Sequence, residues 1–191
     1  MNVYVLSGGK SSRMGEDKGL KLLNEKPVIK YLLETLENLH FNIKIVANDD
    51  RYRQFGFPVV HDIIKDKGPM GGIHTALSDA REDVLILSAD TPLVPEKIIG
   101  KLTGQRKENH ISIIRYNGVI QPLCGIFPVK FLTEIENNIK SSKLKMMDML
   151  NELPVHYVDE KGEKEVFLNV NTPEDFTFVE QYFKNEDKDF W

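Results

Sequence analysis

Residues Val3–Gly19 read VYVLSGGKSSRMGEDKG, an apolar run that breaks into adjacent glycines and then into cations. A short, continuously apolar run suits a strand buried on both faces, and a glycine turn at its carboxyl end suits an anion. Two familiar phosphate loops fail here. A P-loop wants glycine five positions before Gly9-Lys10-Ser11, where Tyr4 stands, and the G-x-G-x-x-G dinucleotide turn is excluded by adjacent Gly8 and Gly9. The stretch still carries Lys10, Arg13 and Lys18 within nine residues. Backbone N–H groups freed by the glycines can approach an anion, while arginine supplies a fork and lysine a point charge.

Outward from this loop, the same pattern recurs. Val3–Leu6, Ile43–Val46, Val84–Leu87, Ile111–Ile114 and Leu123–Phe127 read as strands. Pro27–Leu39, Gly71–Ala80, Pro95–Leu102, Val129–Ile139 and Pro173–Phe183 read as helices, and Lys143–Leu153 carries apolar residues at helical spacing. Such alternation predicts an α/β domain with a mostly parallel sheet. At 191 residues the chain fits one domain, expected over residues 1–184, with a charged tail at 185–191.

Composition narrows the function. The net charge of −4 and the lack of a long basic run argue against nucleic acid as a partner. No apolar run approaches the roughly 20 residues of a membrane span, and no secretory signal opens the chain, so a cytoplasmic location is expected, without a membrane partner. The single cysteine, Cys124, excludes an internal disulfide, and its apolar neighbours favour packing over nucleophilic work.

Ligands of open α/β sheets gather beyond the carboxyl ends of the strands. After Val84–Leu87 comes Ser88-Ala89-Asp90-Thr91-Pro92, where Asp90 can hold a cation or cap the next turn. In Asp62–His74, Gly71-Gly72 opens a helix suited to an anion or a base edge, and Asp62 or Asp66 can accept from a base that carries donors. His74 and Thr75 read as helix surface or core. Near the end, Thr172 reads as an N-cap with Pro173 in the first turn and Asp175 three residues on, which leaves Asn169 and Asn171 unexplained.

Together these segments, LxGGxSxRMGxDK, GPxxG, Asp90-Thr-Pro, QPLxG and NVNTPED, resemble the molybdenum cofactor guanylyltransferases of the nucleotidyltransferase superfamily over nearly the whole chain. That resemblance implies a Rossmann-like three-layer α/β/α fold and transfer of GMP from GTP to molybdenum-molybdopterin with Mg²⁺, releasing pyrophosphate. It implies that Leu6, Ser7, Gly8, Gly9 and Gly71 line the nucleotide site with Asp62 or Asp66. Lys18 would contact phosphate, Arg13 would sit at the leaving pyrophosphate, Asp90 would hold the metal, and Asn169 and Asn171 would approach the acceptor. Arg13, Lys18 and Asp90 are thus the expected catalytic set, with molybdoenzyme maturation proteins as further expected partners. Ser7 stands where the family usually has alanine, a small-for-small change expected to be without consequence. The competing readings are a cytidylyltransferase for the same cofactor, a sugar-phosphate nucleotidyltransferase, and a non-catalytic nucleotide-binding module.

Overall fold

The computed structural model describes residues 1–8 and 17–186, with side chains through 183. Its centre is a seven-stranded sheet of order β5-β4-β1-β6-β8-β7-β9. β1 (Asn2–Leu6), β4 (Asn42–Val46), β5 (Val59–Val60) and β6 (Val84–Ser88) run parallel to one another. β8 (Val119–Phe127) lies antiparallel between β6 and β7 (Ile111–Tyr116), and β9 (Val155–Glu160) closes the far edge parallel to β7.

Successive strand residues feed opposite faces of this sheet, as the pleat requires. Val3, Val5, Leu85 and Leu87 join a core under α1 (Val28–Asn38) and α3 (Glu96–Gly104). Tyr4, Val84 and Ile86 join a second core under α2 (Gly68–Ala80), α4 (Leu132–Lys140) and α5 (Met146–Glu152). This is the expected three-layer α/β/α architecture. A third, small cluster packs the ribbon β2 (Leu22–Leu23) and β3 (Lys26–Pro27) against α6 (Pro173–Glu186), through Leu23, Val170, Phe176 and Val179.

Three features lie outside the sequence reading. The β7–β8 pair is a hairpin rather than two parallel strands; Asn117 and Gly118 both have positive φ at its turn, 48° and 82°. β9, the two-residue β5 and the β2–β3 ribbon were not anticipated. The start of α2 also differs, since the helix begins at Gly68 rather than Gly71, with Pro69 in its first turn.

Candidate active site

The strand register brings four chain ends to one edge of the sheet. Leu6 pairs with Val46 and with Ser88, and Val46 pairs with Val60. Everything that follows these residues, namely Ser7-Gly8, Asn48, Asp62 and Asp90, therefore emerges side by side. Two clefts open there. The first is lined by Leu6, Ser7, Gly8, Asp62, Gly68 and Gly72 among others, and the second by Asp90, Gln121, Cys124, Phe167 and Asn169 among others. Ser88 and Leu123 line both, so the clefts meet at that seam.

In the first cleft, Gly8 has a φ of 109° and open space where a Cβ would stand, leaving its backbone accessible. Gly72 lets the start of α2 approach β1, since a Cβ there would lie 3.1 Å from the Leu6 methyls. Gly71 points elsewhere, toward the Ile64 carbonyl and Lys67. Gly72, not Gly71, thus faces the cleft. The two acidic candidates also separate. Asp66 is exposed, with a φ of 61°, and does not line the cleft, whereas Asp62 does. Asn48 Nδ2 donates to Asp62 Oδ2 at 2.8 Å, and the Asp62 backbone N–H donates to Asn48 Oδ1 at 3.1 Å. Asp62 Oδ1 is buried and has no partner among the described residues. Burial pushes the Asp62 carboxyl above the usual range, against the lowering effect of the Asn48 bond. His74 and Thr75 are buried in α2, and the Thr75 hydroxyl accepts from the Ile63 N–H at 3.0 Å.

At the second cleft, Asp90 is half-buried and its Oδ1 accepts from the Ser88 hydroxyl at 2.5 Å. It does not cap α3, whose N-cap is Pro95. The Asp90 carbonyl accepts the Val170 N–H at 2.9 Å, which binds the β6 end to the segment carrying both asparagines. Asn169 lines the cleft, and Asn171 Oδ1 accepts from Lys18 Nζ at 2.5 Å. Asn171 is held in turn by the helix start: the N–H groups of Asn171 and Thr172 donate to Asp175 Oδ2, and Asp175 N–H donates to the Thr172 hydroxyl. Those backbone donors keep the Asp175 carboxyl below its usual range. Cys124 is buried in apolar surroundings, and its thiol is pushed up to about 12. Gly9 and Arg13 lie outside the described residues.

Among the described residues no group of three or more His, Cys, Asp or Glu could hold a metal. Asp90 alone beside an open cleft fits a hard cation shared with substrate oxygens, the manner in which Mg²⁺ is commonly bound. Asn48 escaped the sequence reading, although it stands just past the end of β4, and Ser88 was named there without its hydrogen bond to Asp90 being foreseen.

Residues 3–156 match the MobA-like NTP transferase domain family. The chain is 33% identical to a probable molybdenum cofactor guanylyltransferase of Flavobacterium johnsoniae, over 92% of this chain and 94% of that one. A counterpart from Carboxydothermus hydrogenoformans is 34% identical, over 92% and 93%. The crystal structure of molybdopterin-guanine dinucleotide biosynthesis protein A from Archaeoglobus fulgidus superposes with a TM-score of 0.80 at 25% identity, over 97% of this chain and all of that one. The chain belongs to the MobA-like NTP transferase family, in company with the molybdenum cofactor guanylyltransferases.

Proposed function

We propose that the protein transfers GMP from GTP to molybdenum-molybdopterin, giving the guanine dinucleotide cofactor and pyrophosphate. The observation that carries this reading is the seam at Ser88 and Leu123, where a cleft suited to a nucleotide meets a second cleft beside Asp90. Two substrates seated in the two clefts would bring their phosphates together there.

The base would lie by Asp62, which lines the first cleft; Asn48 holds its Oδ2, and a small turn of the carboxylate would bring the unpartnered, buried Oδ1 out to accept from guanine N–H groups. The backbone at Ser7 and Gly8, with the N-terminal end of α2, would meet the ribose and phosphates. An ionised phosphate oxygen of the acceptor attacks the α-phosphorus of GTP. The new P–O bond forms as the bond to the β-phosphate bridge breaks, and its electrons leave on pyrophosphate. Such an acceptor phosphate is already deprotonated near neutrality, so no side chain need take a proton. What the reaction needs is alignment and charge neutralisation. Lys18 supplies positive charge, Asn171 holds its ammonium, and Arg13 is assigned to the leaving pyrophosphate. Asp90 would hold Mg²⁺, which when bound neutralises charge on the phosphates. Among the described residues no helix is long and apolar enough to cross a membrane, and we place the reaction in the cytoplasm, where GTP is made.

The test is a panel of α-labelled GTP, CTP, ATP and UTP, each offered with Mg²⁺ and molybdenum-molybdopterin. Label should pass to the acceptor from GTP, and chelating the divalent metal should stop it. Transfer from CTP and not from GTP would replace this reading with a cytidylyltransferase.

A further inference from the structure

Tyr52 is a large polar side chain that the mechanism above does not use. It lies in the 3-10 segment Asp50–Phe55 after β4, with no exposure to solvent and its ring in the core beside Phe55. A buried phenol needs one hydrogen-bond partner to offset its desolvation. This one has two, from different parts of the chain. The Ser7 hydroxyl donates to Tyr52 Oη, and Tyr52 donates to Asp17 Oδ1 at 2.6 Å. The same Asp17 oxygen accepts the Gly19 N–H at 3.1 Å and caps the 3-10 turn Lys18–Leu20. One phenol therefore joins the carboxyl end of β1, where the first cleft begins, to the turn that carries Lys18.

The packing leaves this junction no slack. A Cβ added at Gly19 would stand 2.5 Å from Tyr52 Oη and 2.7 Å from Ser7 Oγ. Burial and the Asp17 bond drive the Tyr52 hydroxyl far above its ordinary range, so it remains a donor throughout the working pH. The hydroxyl of Ser7 is thus engaged, contrary to the expectation that it merely replaces an alanine methyl. Lys18 itself reaches away from the junction, to Asn171.

We propose that Tyr52 is a positioning residue for Lys18, its hydroxyl fixing the lysine's turn against the end of β1. This rests on the reading that Lys18 meets GTP phosphate. Tyr52→Phe keeps the ring and removes the hydroxyl, leaving the half-buried Asp17 to find water. Transfer of label from GTP is measured in the wild type, Tyr52→Phe, Lys18→Ala and the double variant, with Tm checking the fold. Loss of a bond to a charged group should lower kcat/KM about ten- to a hundredfold in Tyr52→Phe. In the Lys18→Ala background the same change should alter kcat/KM by less than about twofold, because the effect passes through the lysine.

An equal fold-loss in both backgrounds would make Tyr52 a structural residue only and overturn the inference. So would a Tyr52→Phe protein as active as the wild type while Lys18→Ala is impaired, with the phosphate reading left standing. A fully active Lys18→Ala protein would overturn both. Should Tyr52→Phe fold poorly, Ser7→Ala carries the same coupling test from the other side of the junction, with an expected loss of a few fold confined to the Lys18 background.

Discussion

The two halves of the sheet edge are built differently. On the side of β5, β4, β1 and β6 the strands are parallel, and polar side chains at or near their ends hold one another: Asn48 with Asp62, and Ser7 with Tyr52, which in turn holds Asp17. On the side of β8, β7 and β9 the sheet is mixed, and the cleft takes its polar groups from separate segments, Gln121 on β8 and Asn169 before α6. The first half resembles a rigid socket for a substrate of fixed shape. The second is joined to it by the antiparallel β6–β8 ladder, and at the clefts by the Val170–Asp90 backbone bond and the Lys18–Asn171 contact. Preorganised groups lower the cost of binding, so nucleotide specificity should reside in the first half.

Asp90, beside the seam, should matter most. Asp90→Ala removes the carboxylate but leaves the carbonyl that holds Val170, so the fold should survive with Tm little changed. Loss of one group that organises transition-state charge costs about 10²- to 10³-fold in kcat, and if Asp90 holds the proposed Mg²⁺ its loss would place this variant at the upper end. Both halves should fail together, since product requires both substrates. If Asp90→Ala raised only the acceptor KM, with kcat at saturation intact, the carboxylate would belong to the second half alone.

Asp62→Asn is the next largest and concerns the first half only. Asparagine offers one acceptor where the carboxylate offers two, and its amide must also face the Asn48 amide. The KM for GTP should rise about ten- to a hundredfold, with kcat at saturating GTP and the KM for the acceptor unchanged. A pH profile gives a second readout. Burial holds the Asp62 carboxyl above the usual 3.8, so protonation turns an acceptor into a donor sooner than for an exposed aspartate. The KM for GTP in the wild type should therefore climb as pH falls through that raised value, and in Asp62→Asn it should not. A variant that keeps the wild-type ratio of GTP to ATP use would show that the base is read elsewhere.

What could be read beforehand divides along the same line. β1 and β6 announce themselves because strands buried on both faces are apolar nearly throughout, β4 shows the same run broken only by Lys44, and the residues after β1 and β6 then become obvious places to look. β5 is two residues long and β9 alternates with polar residues at a sheet edge, so neither stands out from a loop. The hairpin was legible in Asn117-Gly118, a turn that two adjacent positive φ values require, and it is what reverses β8. The Tyr52 junction was not legible. Its partners lie 45 and 35 residues away, and nothing local in Asp50–Phe55 distinguishes a tyrosine that fills the core from one that also ties two segments together. Whether Gly71 or Gly72 faces the cleft depends likewise on where a helix starts and how it is rotated.

The smallest effect belongs to Cys124, which lines the second cleft yet is buried. Its thiol rises from 9.0 to about 12, because an apolar site disfavours the thiolate. In the unfolded chain the same thiol ionises near its ordinary value. Between pH 9 and about 12 the native protein therefore holds more protons than the unfolded one, and stability falls as pH rises through that window. The slope from one group approaches about 1.4 kcal/mol per pH unit. Thermal melts from pH 8 to 10.5 should show a shallower decline for Cys124→Ala than for the wild type, with little difference in transfer of label at pH 7.5. Alkylation by iodoacetamide at pH 8 should be slow in the native wild type and rapid in denaturant. Fast native labelling, slowed by the acceptor and not by GTP, would instead reveal that the second half opens where the first stays closed, and that the contrast between the halves is one of motion as well as of construction.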